Sequence, residues 1–177
     1  MTNKELLRLW RRLGIPEDFA RRAARRVQRV PRRLVRVGRA ADDGRILRLT
    51  PAAARAWRKM AAAAAADGVT LLPLSAYRSI ARQTLIIRRK LARGQVIADI
   101  LRVSAVPGCS EHHTGRALDL GTPEHLRLEV SFARTRAFRW LRRNAGRFGF
   151  RLSYPRNNRQ GIAYEPWHWC WHRREPT

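Results

Sequence analysis

The chain is poor in acid. Thirteen Asp and Glu stand against thirty-eight Lys and Arg in 177 residues, a formal net charge of +25. A field of that size attracts any polyanion, whether nucleic acid, anionic lipid or an anionic cell-envelope polymer. No RNA- or DNA-binding motif accompanies it, which argues against nucleic acid as a specific partner, and Arg-rich stretches such as ARRAARRVQRVPRR read equally well as solvated helix faces. Long apolar runs are also missing. The longest, MAAAAAADGVTLLPL, is broken by Asp67, Gly68 and Pro73, so no membrane-spanning helix is expected. At the N-terminus, Arg8, Arg11 and Arg12 interrupt what would be the apolar core of a secretory leader. As written, the chain is expected in the cytoplasm, or at the cell envelope if another route exports it or a leader has been removed. No internal repeat, linker or low-complexity tract occurs beyond the alanine run. A hydrophobic content of 45% excludes disorder, and the length suits one domain, residues 1–177, with a basic helical N-terminal part over 1–48.

Periodicity and punctuation predict an α+β fold. Thr2 and Glu5 fit a capping box opening a helix over 3–13, and a second basic helix is expected over 16–28 behind Pro16. LVRV at 34–37 suits a short strand. Thr50-Pro51 starts a helix that Asp67-Gly68 ends, with Trp57 and Met60 as core. VTLLPL at 69–74 reads as a buried strand; Ser79 caps a helix to about Ala92, and a short helix covers 96–102. RALDL at 116–120 alternates as a strand does, Phe138, Leu141 and Ala145 share a helical face, and FRLSYP and AYEPWHWCW close the chain as neighbouring antiparallel strands.

Only five histidines are present, and two of them fall with Glu111 and Asp119 in PGCSEHHTGRALDLGTP. Gly115 lets the chain turn tightly between His112 or His113 and Asp119, so that either imidazole can meet the carboxylate. The last strand offers Glu165 and His168, and Pro166 interrupts pairing so that positions three apart can face one cavity. Two neutral imidazoles and one carboxylate leave a zinc ion positively charged and open to water, the arrangement of a catalytic site. A carboxylate such as Glu165 could then move the proton.

Ser110, His112, Gly115, Ala117 and Asp119 form S-x-H-x-x-G-x-A-x-D, and Glu165, Trp167 and His168 form E-x-W-H. These paired signatures resemble the D-alanyl-D-alanine carboxypeptidases of the VanY type, and the likeness extends over roughly residues 50–170. It implies a zinc peptidase of the lysostaphin, D-Ala-D-Ala peptidase and hedgehog superfamily, with a small antiparallel sheet carrying one zinc ion. It implies His112 rather than His113, with Asp119 and His168, as metal ligands, and Glu165 as general base. It gives Arg78 a role in binding substrate or stabilising the oxyanion, with Gln83 and Ser110 as polar substrate contacts. A guanidinium suits a C-terminal carboxylate because it offers two parallel hydrogen bonds. Tyr154 and Tyr164 flank the last strands and could line a peptide groove.

The implied substrate is the stem peptide of peptidoglycan or a muropeptide, losing its terminal D-alanine by D,D- or L,D-cleavage. Two other outcomes stay open: a phage-type endolysin cutting within the stem, and a cationic polyanion-binding protein with structural zinc. Against the family pattern, Cys109 replaces a common aromatic and Cys170 a frequent Arg. Because the metal would draw their segments together, a disulfide between these two cysteines is conceivable.

Overall fold

The computed structural model describes residues 2–23 and 25–173. Helix α1 (Asn3–Arg12) opens with the expected capping box: the Thr2 amide donates to Glu5 and the Glu5 amide to Thr2 Oγ1. Its Leu6, Leu9 and Trp10 are buried at helical spacing. The second helix is far shorter than expected, α2 covering Phe19–Arg22. Tertiary bonding explains the loss. Beyond it residues 25–31 form no regular element, with the Gln28 amide donating to the Gly108 carbonyl and the buried Arg25 side chain donating to the carbonyls of Leu101 and Gln160. The Gln28 amide bond takes the place of a helical one, and the Arg25 guanidinium pins the segment where it lies.

The next residues form a hairpin, β1 (Val35–Arg39) with β2 (Ile46–Leu49), of which only the first strand was expected. The N-terminal part is therefore not wholly helical. Helix α3 (Pro51–Ala66) follows with Pro51 in its first turn. After it come β3 (Leu72–Ser75), α4 (Ile80–Leu91) capped by Ser79, and α5 (Ile97–Val103). A 3-10 turn (Glu111–Thr114), β4 (Ala117–Gly121), α6 (Arg136–Asn144), β5 (Phe150–Leu152) and β6 (His168–Trp171) complete the chain. The order β3-β4-β6-β5 is antiparallel throughout. Among the described residues no helix is long and apolar enough to cross a membrane.

Two cores hold this arrangement. In the first, Trp57 and Met60 of α3, as expected, pack with Leu118, Leu120, Trp140 and Trp169 behind the sheet. The small alanines of α3, with Ala53, Ala54 and Ala64 fully buried, let the helix approach closely. In the second, Leu6, Leu9 and Trp10 of α1 meet Ile87, Ile100, Val106 and Cys109. Each such side chain contributes about 1.5–3 kcal/mol on burial. Trp10 also donates from Nε1 to the Pro107 carbonyl at 2.8 Å. The N-terminal helix thus holds the segment that leads into the PGCSEHH turn.

Candidate metal and catalytic site

Strand β4 lies inside the sheet with all five residues buried, so Asp119 is flanked by Ser75 of β3 and His168 of β6. The turn before it needs glycine. Gly115 has φ +64°, and a Cβ there would lie 2.7 Å from Leu34 Cδ2. That reversal carries His112 over the sheet to Asp119. Nitrogen and oxygen atoms of His112, Asp119 and His168, one from each residue, lie within 4.8 Å of one another, and all three residues are buried.

Hydrogen bonding orients each imidazole. His112 Nδ1 lies 2.6 Å from the Ala76 carbonyl, which can only accept, so Nδ1 carries the proton and Nε2 presents a lone pair. That lone pair faces Asp119 Oδ2 at 3.1 Å. His168 Nε2 lies 3.0 Å from Glu111 Oε2, while its Nδ1 faces Asp119 Oδ1 at 2.9 Å. Acceptors set against acceptors call for positive charge between them. Protons could supply it as two buried imidazolium rings with centroids 4.9 Å apart, or by protonating Asp119 or Glu111. Burial lowers the pKa of His112 despite Asp119, which opposes the first; against burial, the imidazoles hold the pKa values of both carboxyl groups down, which opposes the second. One divalent cation satisfies all three groups, and two imidazoles with a carboxylate form a zinc donor set.

Glu111 holds the second imidazole from behind. Burial raises its pKa, but the hydrogen bond from His168 outweighs this and holds it at about 2. His168 shows the reciprocal effect: burial pushes its pKa down, while Asp119 and Glu111 bring it up to about 10. A carboxylate behind a ligating histidine fixes its tautomer and raises its basicity. In the sequence Glu111 stands in the cluster with no role of its own. Its signal was adjacency to His112; its partner, fifty-seven residues away, was not visible.

Glu165 approaches from the other side, with Oε2 3.8 Å from His168 Nδ1. Burial, against the pull of His168, raises its pKa to about 7. Arg78 donates to Gln83 Oε1 at 2.9 Å and to Ser75 Oγ at 3.2 Å, and its Nη2 lies 3.7 Å from Asp119 Oδ2. Each terminal nitrogen keeps one further N–H. These groups share a cleft of about 490 Å³ with Ser110, Tyr154, Tyr164 and Trp167. The Tyr154 ring lies 4.8 Å from that of His168.

Gln83 departs from expectation. It is 1% exposed, and its amide is used at both ends, accepting from Arg78 and donating to the Ala105 carbonyl at 2.7 Å. It steadies the arginine from behind instead of facing the cleft. His113, the rival ligand, points away from the cluster. Its Nε2 accepts from the Gly108 amide and its Nδ1 donates to the Arg78 carbonyl, and burial lowers its pKa to about 4. It is a neutral post between the ligand turn and the Arg78 backbone.

Cys109 and Cys170 are both free and buried. Cys109 belongs to the N-terminal core, whereas Cys170 lies in β6 opposite Ala117. Burial raises the pKa of Cys109 to about 11 and that of Cys170 well above its ordinary value, as expected of inert thiols. The conceivable disulfide is absent from the structure.

Fold and site together define an α+β domain of the hedgehog and D-Ala-D-Ala peptidase type, built around a His-Asp-His cluster. Residues 46–174 match the VanY family of D-alanyl-D-alanine carboxypeptidases, and the chain belongs to that family. It is 34% identical over 117 residues to a D-alanyl-D-alanine carboxypeptidase of Enterococcus faecalis (strain ATCC 700802 / V583), covering 60% of this chain and 42% of the relative. Among solved structures, an LdcB LD-carboxypeptidase superposes with a TM-score of 0.72 at 29% identity, covering 82% of this chain and 71% of the other. A VanY D,D-pentapeptidase mutant from a VanB-type resistance cassette, in complex with Zn(II), gives 0.63 at 28%, covering 83% and 84%. The chain spans less than half the length of the curated relatives it matches.

Proposed function

We propose that this chain is a zinc-dependent carboxypeptidase that removes the C-terminal D-alanine from peptidoglycan stem peptides. One observation carries the reading: both oxygens of Asp119 face imidazole nitrogens whose far sides are tied to acceptors, and a carboxylate of raised pKa stands beside them. Held by His112, Asp119 and His168, zinc would supply a Lewis acid and a bound water with a pKa near neutrality.

Glu165 then acts as the general base. A carboxylate with a pKa of about 7 can accept a proton from the attacking water and release it to the departing amine of D-alanine. Arg78 lines the cleft, and its remaining N–H groups suit the terminal carboxylate of the substrate or the oxyanion. Gln83 and Ser75 fix its plane, so less side-chain freedom is lost on binding. Ser110 and Tyr154 line the cleft and serve as substrate contacts.

The likeness to both a D-alanyl-D-alanine and an LD-carboxypeptidase supports a terminal cleavage of one kind or the other. Muropeptides of defined stem length, incubated with the zinc-loaded protein and weighed by mass spectrometry, test this. Loss of one alanine from a pentapeptide stem identifies D,D-cleavage, and loss from a tetrapeptide stem identifies L,D-cleavage. Cleavage inside the stem would support the endolysin reading instead. Salt-dependent polyanion binding without any hydrolysis would support the structural-zinc reading.

A further inference from the structure

The cleft has lining residues to which the catalytic assignments give no role. Val103 of α5, Leu128 and Val130 line it while remaining 50%, 42% and 48% exposed. Lys90, in the last turn of α4, lines the same cleft, where the charges of Glu165 and Arg78 act on it in opposite directions. Its ammonium donates to Ser104 Oγ at 3.0 Å. Among the described residues it makes no ion pair. The other cation lining the cleft, Arg78, is held by Gln83 and Ser75 and is the group assigned to the terminal carboxylate. A half-buried ammonium tied only to a hydroxyl keeps two donors for an incoming acceptor.

On the reading that stem peptides are the substrate, the terminal carboxylate goes to Arg78. Some stems carry a second free carboxylate further in, either on the side chain of a diaminopimelate residue or on the α-carbon of γ-linked D-glutamate. Other stems are amidated at these positions, or hold a lysine whose ammonium Lys90 would repel. We propose that Lys90 is the receptor for a second, non-terminal carboxylate of the stem peptide, with Val103, Leu128 and Val130 covering the aliphatic chain that carries it. The residue thereby selects against stems that are amidated or cationic at that point. Repulsion of the wrong group matters as much as attraction of the right one.

Four synthetic stem peptides of equal length test this: diaminopimelate and D-glutamate both free, diaminopimelate amidated, D-glutamate amidated, and lysine in place of diaminopimelate. Dissociation constants are measured by calorimetry with the zinc-loaded Glu165→Gln protein, which leaves the peptides uncut, and kcat/KM with the unmodified enzyme. One amidation is expected to weaken binding about tenfold, as a charge-assisted hydrogen bond at a half-exposed site allows, and the arm that responds identifies the carboxylate. The loss should fall on KM. Lys90→Ala in the same background should bind all four within about twofold, while Lys90→Arg should keep the preference. Equal affinities for all four peptides, or a preference that survives Lys90→Ala, overturns the proposal. Discriminating binding without turnover by the unmodified enzyme sinks the peptidase reading and leaves this one standing. Binding of none of the four sinks both.

Discussion

Two sets of side chains at the cleft are made of opposite materials. In one, Asp119, Glu165 and, behind the cleft lining, Glu111 gather around His112 and His168, three carboxylates out of thirteen in a chain dominated by arginine. The other is Arg78, Lys90 and the apolar Val103, Leu128 and Val130. The acidic set can hold a cation and move a proton; the basic set can hold a substrate anion. Arg78 joins the two sets, its Nη2 lying 3.7 Å from Asp119 Oδ2. Bond breaking and substrate recognition are thereby assigned to different groups, and each can be removed alone.

The largest effect is expected from the metal side. Asp119→Ala should abolish both stoichiometric zinc and hydrolysis, because it deletes the carboxylate that both imidazoles face. Zinc analysis of the purified protein checks it, and one zinc per chain in this variant would contradict the ligand set. Glu165→Gln should keep the metal and lower kcat by about a thousandfold, within the range for a lost general base; undiminished turnover would remove Glu165 from the mechanism. Glu111→Gln should weaken zinc about ten- to a hundredfold by loosening His168, read by competition with a chelator.

On the recognition side, Arg78→Ala should lower kcat/KM about thirtyfold while zinc content and thermal stability stay near those of the parent. Arg78→Lys should recover little, because a point charge lacks the planar fork. Normal kinetics in both variants would mean that another cation holds the terminal carboxylate.

The smallest effect is the pH dependence. Glu165 works as a carboxylate, and burial raises its pKa to about 7, so activity should fall as pH drops through that value. Positive charge from zinc favours the ionised form and moves the acid limb lower. The Glu165→Gln protein should lose this limb in its residual activity. Metal content must be followed in parallel, because protonated ligands release zinc as well.

Helix α1, α3, α4 and the ligand turn were legible because their signals are local. Capping box, Pro51, Ser79 and Gly115 each act over a few residues. The helix expected over 16–28 failed for the converse reason. Arg25 and Gln28 bond to residues around positions 100 and 160, and no local pattern records such partners. Strand β2 was missed because four residues, ILRL, carry too little periodicity, although Asp43-Gly44 before them is a turn signal. Gln83 was expected on the cleft wall from its motif, whereas its amide is spent on Arg78 and Ala105.

The sequence by itself determined which side chains form the cluster, since two spaced signatures bring a histidine, an aspartate, a second histidine and a glutamate into play. It could not choose between His112 and His113 without the family likeness, because neighbours in a chain are equally near. The tertiary structure gives the physical reason for that choice, by giving the Nδ1 of His112 to Ala76 and both nitrogens of His113 to Arg78 and Gly108. It also decided the work of Glu111 and the placing of Lys90 on the cleft. Residue type sets what a group can do, but a hydrogen bond's direction and a charge's surroundings exist only once distant segments have met.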